Sequence, residues 1–194
     1  STAEQVTEGT DLSGKIAVVT GCTSGIGYET MRVLAMRGAW VIGTSRSLQR
    51  AEEACRRVRG KTTPLALELS DFDSVVRCAE TIRALNSPVD MLILNAGYRG
   101  GGNERTLIEG IEKHFLVNHL GHFVLVNRLL DRLFFAWQGR IVVVGDAEWV
   151  SNSRLSMLYN EDLALNMVAW LTGGSDETIA IRPRARRSSR ISMT

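Results

Sequence analysis

Three glycines, Gly21, Gly25 and Gly27, stand between an apolar, β-branched run and an amphipathic one. Ile16 to Val19 has no polar face, which is how a strand buried on both sides of a parallel sheet reads. Tyr28 to Arg37 carries Met31, Leu34, Ala35 and Met36 at helical spacing. Strand, glycine-rich turn and helix in that order form a seat for a dinucleotide pyrophosphate. Backbone N–H groups approach closely where side chains are absent, and the helix N-terminus favours the negative charge. The next apolar run ends in Gly43-Thr44-Ser45-Arg46-Ser47. A carboxylate at that place would hold a ribose 2′-hydroxyl, whereas a basic side chain suits a 2′-phosphate. No carboxylate occupies the stretch, and Arg46, beside Ser45, is suited to a bidentate phosphate contact. These residues point to NADP as the cofactor.

The spacing is Gly-x-x-x-Gly-x-Gly, preceded by Thr20. Here the chain resembles the short-chain dehydrogenase/reductase family, whose Thr-Gly-x-x-x-Gly-x-Gly is matched by Thr20, Gly21, Gly25 and Gly27. The match runs from residue 14 to about residue 145 and has a retinol-dehydrogenase-like flavour. It implies further cofactor contacts at Thr23, Ser24 and Ile26. It implies others at Glu68 and Leu69, where the family commonly has an Asp touching the adenine amino group. Asn95, Ala96 and Gly97 match the family's Asn-Ala-Gly motif on the adenine-ribose side. Asn118 matches the helix asparagine that holds a water in a proton relay.

The resemblance also implies a reaction, hydride transfer between the nicotinamide and a carbonyl or alcohol. In the family a Tyr moves the proton, a Lys four residues on lowers the Tyr pKa, and a Ser polarises the substrate oxygen. Tyr159 falls at the Tyr position, with Asn118 as its relay partner. Leu163 stands where the Lys belongs and Asp146 where the Ser belongs. Lys15, Lys61 and Lys113 are the only lysines and all lie far upstream. Glu161 and Asp162 flank Tyr159, and nearby carboxylates raise a phenol pKa. A carboxylate at 146 would repel a developing oxyanion. Loss of an acid/base device lowers a rate by about 10²–10⁴-fold. The expectation is an NADP(H)-binding protein, nominally a carbonyl/alcohol oxidoreductase, with weakened or absent catalysis. The alternative is a non-catalytic structural or accessory subunit of a larger assembly.

Strands alternate with helices to position these residues. The expected strands after Ile16–Val19 are Ala39–Thr44, Pro64–Leu69, Val89–Leu94, Arg140–Val144 and Thr178–Arg182. The expected helices after Tyr28–Arg37 are Ser47–Arg59, Asp71–Leu85, Asn103–Leu116, Asn118–Phe135 and Ser156–Leu171. That alternation predicts an α/β fold, a Rossmann-type doubly wound parallel sheet in three layers. Phe123, Val126, Leu130 and Phe134 form an apolar stripe, read as a dimer helix of the family or a core-facing helix.

The 194 residues, 44% hydrophobic and 23% charged, suit one soluble domain with a sizeable core. Residues 1–13 read as a loose N-terminal arm, 14–183 as the NADP-binding domain and 184–194 as a basic tail, with Arg182, Arg184, Arg186, Arg187 and Arg190 crowded near the end. The sheet reads as C-terminally shortened, lacking the family's substrate loop and last strand. An edge so exposed invites a protein partner or a homo-oligomer. A net charge of +2 gives no sign of nucleic-acid binding, and no apolar run reaches the roughly 18 residues of a membrane span. Cys22, Cys55 and Cys78 are too widely spaced for a disulfide framework or metal cluster, which points to a reducing compartment, cytoplasm or organelle interior. His114, His119 and His122 are read with no carboxylate or cysteine partner nearby and suggest no metal.

Overall fold

The computed structural model describes residues 2–100, 106–135 and 140–143. Among the described residues five strands form one parallel sheet: β1 (Ile16–Thr20), β2 (Trp40–Ser45), β3 (Thr62–Ala66), β4 (Met91–Leu94) and β7 (Arg140–Val143). Their spatial order is β3-β2-β1-β4-β7. The chain builds outward from β1 to β3, then returns to lay β4 on the other side of β1. Such a reversal opens a crevice beyond the strand ends.

Alternate strand residues feed two separate cores. Ala17, Val19, Val41, Met91 and Ile93 pack with Met31, Leu34 and Ala35 of α2 (Gly25–Met36) and Ala54 and Cys55 of α3 (Leu48–Arg56). Ile16, Val18, Ile42, Leu92 and Leu94 pack with Val75, Ala79 and Ile82 of α4 (Phe72–Ala84) and Leu125, Leu129 and Leu133 of α6 (Gly121–Phe135). The fold is therefore the expected doubly wound, three-layer α/β sheet. Ser47 caps α3, and Asp71 caps α4 by accepting the N–H groups of Asp73 and Ser74 at 2.9 and 3.2 Å.

Several elements differ from expectation. The helix expected over Asn103–Leu116 is, from Leu107, a small antiparallel hairpin, β5 (Leu107–Ile108) and β6 (Ile111–Glu112), followed by the short helix α5 (Lys113–Phe115). Glu109 and Gly110 both have positive φ, 49° and 81°, the geometry that lets a two-residue turn follow the strand twist. A π turn (Leu116–Leu120) then leads into α6. β3 begins two residues earlier than expected. Leu67 and Leu69, read as strand, instead lie beyond it with their side chains buried. The apolar stripe is rotated: Phe123 is 59% exposed, and Leu125, Leu129 and Leu133 face the core. Within the expected loose arm, α1 (Ala3–Val6) is docked on α2. Arg32 meets Glu4 at 2.7 Å, and Arg37 donates to the Glu4 carbonyl at 2.7 Å and to Thr7 at 3.0 Å. The expected helix Ser156–Leu171, the strand Thr178–Arg182 and the tail 184–194 lie outside the described residues.

Candidate functional site

A cleft of about 640 Å³ opens at the C-terminal ends of β1, β2 and β4. Every residue expected to hold the nucleotide lines it: Gly21, Thr23, Ser24, Gly25, Ile26 and Gly27 from the glycine loop, Ser45 and Arg46 after β2, Glu68 and Leu69 after β3, and Asn95, Ala96 and Gly97 after β4.

The loop is shaped by two glycines that tolerate no side chain. Gly21 has φ +72°, and a Cβ there would lie 2.9 Å from the Ala96 Cα. A Cβ on Gly27 would lie 2.2 Å from the Gly21 carbonyl oxygen and 2.4 Å from Asn95 Nδ2. Ser24 opens α2 without a side-chain cap, in contrast to Ser47 and Asp71 on α3 and α4. The first N–H groups of α2 are therefore left for an anion at the cleft. Arg46 is exposed, with no ion pair among the described residues. The Glu68 carboxylate is turned into its own loop, accepting from Ser70 N at 3.0 Å and Ser70 Oγ at 2.7 Å. Among the described residues, Arg46 and Lys113 line the cleft with Glu68, an array suited to a polyanion.

Below the loop is a buried hydrogen-bond centre. Thr20 Oγ1 accepts the backbone N–H groups of Asn95 and Ala96, each at 2.9 Å. Asn95 Nδ2 donates to the carbonyls of Thr20 and Gly21 at 3.0 and 3.3 Å, fixing the loop against β4. His122 Nε2 lies 3.1 Å from Thr20 Oγ1, and its Nδ1 lies 3.3 Å from the Asn118 carbonyl. His122 is 3% exposed, and burial pushes its pKa below the usual imidazole range. Asn118 sits in the π turn rather than in the cleft lining. Its Oδ1 accepts from Tyr98 N at 2.6 Å, and its Nδ2 donates to the Tyr98 carbonyl at 3.1 Å. Tyr159, Asp146 and Leu163 lie outside the described residues.

Thr44, Tyr98, Lys113 and His122 are among the residues of this region that sequence reasoning does not reach. Thr44 lines the cleft with a buried hydroxyl that has no partner among the described residues. Tyr98 and Lys113 form one cleft wall, the ammonium 4.1 Å from the ring centroid. The sequence offers His122 only as a metal candidate. Among the other histidines, His114 does have a carboxylate neighbour, Glu112, at 2.7 Å. Backbone N–H groups of His114 and Phe115 lower the Glu112 pKa to about 2. Cys22 and Cys55, far apart in sequence, both pack against Gly43 with Met31, and Cys55 Sγ is 3.8 Å from Met31 Sδ.

Residues 15–156 match the family model described as short chain dehydrogenase. The WW domain-containing oxidoreductase of Gallus gallus is 40% identical over 149 residues, 74% of this chain and 36% of that protein. Retinol dehydrogenase 12 of Mus musculus is 39% identical over 141 residues, 70% of this chain and 44% of that protein. A solved short chain dehydrogenase/reductase family protein superposes with a TM-score of 0.58 at 32% identity, covering 68% of this chain and 55% of the other. The chain spans less than half the length of these two curated relatives. This chain belongs to the short-chain dehydrogenase family, whose members bind nicotinamide nucleotides. Among the described residues no helix is long and apolar enough to cross a membrane.

Proposed function

We propose that this chain binds NADP(H), and that the carbonyl/alcohol oxidoreduction of its family is weakened or lost in it. The observation that carries the reading is one cleft bounded by the uncapped N-terminus of α2 and by Arg46, with no carboxylate at the end of β2. The residues fit the cofactor. Gly21 and Gly27 leave the backbone bare for the pyrophosphate, and the α2 N–H groups and dipole favour its charge. Arg46 and Ser45 would hold the 2′-phosphate. Asn95, Ala96 and Gly97 offer a low wall for the ribose. When bound, the nicotinamide supplies or accepts a hydride. The chain's own contribution to proton transfer rests on Tyr159, with Leu163 where a lysine would lower its pKa and Asp146 where a hydroxyl would polarise the substrate. Those two substitutions support the second reading, a non-catalytic subunit of a larger assembly. Its partner surface would be the sheet edge that the family's last strand covers.

The test is NADPH binding by calorimetry, with NADPH consumption followed in the same samples over a panel of carbonyl compounds. Binding without turnover is expected. Turnover that disappears in Tyr159→Phe would overturn the weakened-catalysis half of the reading. A wild-type preference for NADH, or an Arg46→Asp variant with unchanged NADPH affinity, would overturn the assignment of Arg46.

A further inference from the structure

We propose that His122 is a positioning residue of the nucleotide cleft, a neutral imidazole that closes a ring of hydrogen bonds around the wall 95–98. The inference rests on the nucleotide reading of that cleft. Asn95-Ala96-Gly97-Tyr98 leaves β4 with no regular partner strand of its own and is gripped at its two ends. At one end the Thr20 hydroxyl accepts the N–H groups of Asn95 and Ala96. At the other end the Asn118 side chain pairs with both backbone groups of Tyr98. His122 joins the two grips, touching Thr20 through one ring nitrogen and the Asn118 carbonyl through the other.

The partners select one tautomer. Thr20 Oγ1 already accepts two N–H bonds, so its lone pairs are taken and its proton is what it has to offer. His122 Nε2, at 3.1 Å, is nearer to it than the Ile93 carbonyl, at 3.5 Å. Nε2 therefore accepts, and Nδ1 carries the proton donated to the Asn118 carbonyl. A ring protonated at Nε2 alone would press a lone pair against that carbonyl and offer Thr20 a donor it has no lone pair to receive. A doubly protonated ring meets the second conflict, and burial opposes its charge. The bond to Asn118 matters because that residue lies in a π turn, where the regular i to i−4 ladder is interrupted. Without His122 the Asn118 carbonyl loses a donor and Thr20 loses an acceptor. The Tyr98 end of the wall is then held only by a side chain whose own backbone has loosened.

The experiment compares the wild-type chain with H122F, H122Q and H122N for NADPH and NADH binding, with thermal unfolding as the control. Imidazole ¹⁵N NMR of the wild type reads the tautomer. H122F keeps the ring shape and loses both bonds; about a tenfold rise in Kd is expected, the size of one to two lost hydrogen bonds. H122Q returns an acceptor toward Thr20 and H122N a donor toward Asn118. Each is expected to lie between H122F and wild type, within about threefold of the latter. Should H122F fail to fold, the tautomer and the amides decide: a wild-type ring protonated at Nε2, or amides about tenfold or more weaker than wild type, overturns the proposal. Wild-type affinity in a folded H122F, or amides no better than it, overturns it likewise. Binding of neither nucleotide by the wild type overturns the nucleotide reading itself and this coupling with it, whereas normal wild-type binding with an unaffected H122F overturns the coupling alone.

Discussion

The floor and the rim of the cleft are built on opposite terms. The floor, Thr20, Asn95, Asn118 and His122, spends its polar atoms on the protein itself, each bonded to a neighbour far away in the chain. The rim beyond β2 and β3 keeps Arg46 exposed and turns the Glu68 carboxylate to Ser70, two residues away. Buried polar groups are costly to strand, while exposed ones have water as an alternative partner. Substitutions in the floor should therefore change stability and affinity together. Substitutions on the rim should change ligand preference alone.

The largest break in that contrast comes from the loop between the two regions. Gly27→Ala places a methyl 2.2 Å from a carbonyl oxygen. It should lower unfolding free energy by about 1–3 kcal/mol and weaken NADPH binding at least about a hundredfold, read by denaturant titration and calorimetry. Thr20→Val keeps the shape of the floor but leaves the Asn95 and Ala96 N–H groups and His122 without their shared partner. A loss of about 2–3 kcal/mol is expected, with weaker NADPH binding in parallel; unchanged stability would show that the floor is not an interlocked unit. Arg46→Ala should lower NADPH affinity about 10–100-fold while leaving NADH affinity and the melting temperature unchanged. A shift in melting temperature would erase the distinction between rim and floor. The smallest effect is that of pH. The folded-state pKa of His122 is depressed by burial, so its contribution to stability is fully present above the unfolded value near 6.5. Below that pH the unfolded chain takes up a proton that the folded chain refuses, and stability falls by at most about 1.4 kcal/mol per pH unit. The Asp11, Glu29 and Asp131 carboxylates, lowered by hydrogen bonds to Ser13, Arg32 and Arg83 respectively, lose their contributions only in the carboxylate range further down. Unfolding free energies of wild type and H122Q should keep a constant offset above about pH 7 and draw together below about pH 6.5, where only the wild type loses stability through this imidazole.

What sequence reasoning could reach follows from range. β1 and β4 were legible because a strand buried on both faces must be apolar throughout, and Ile16–Val19 and Met91–Leu94 are. The glycine loop was legible because tight backbone packing leaves a spacing of glycines. The third strand slipped because Leu65, Leu67 and Leu69 alternate as a strand would. Only the first of them lies in β3, whose Pro64 pairs in register with Gly43. The hairpin was read as helix although Glu109-Gly110 marks a turn, because Leu107, Ile108, Ile111 and Phe115 also fit helical spacing. His122 was illegible in its role: nothing near it in sequence hints at Thr20, which lies 102 residues away.

That separation bears on how the chain folds. The bonds from Thr20 to Asn95 and Ala96 close loops of 75 and 76 residues, and the one to His122 closes a loop of 102. Loop closure must be bought in entropy before such contacts return anything, so the cleft floor should form late, after β1, β4 and α6 have docked. A ligand that fits the finished cleft has no purchase on earlier states. It would act as a selective brake on unfolding, and the unfolding rate of the ligand-bound chain becomes a measure of how completely the ring around Thr20 has closed.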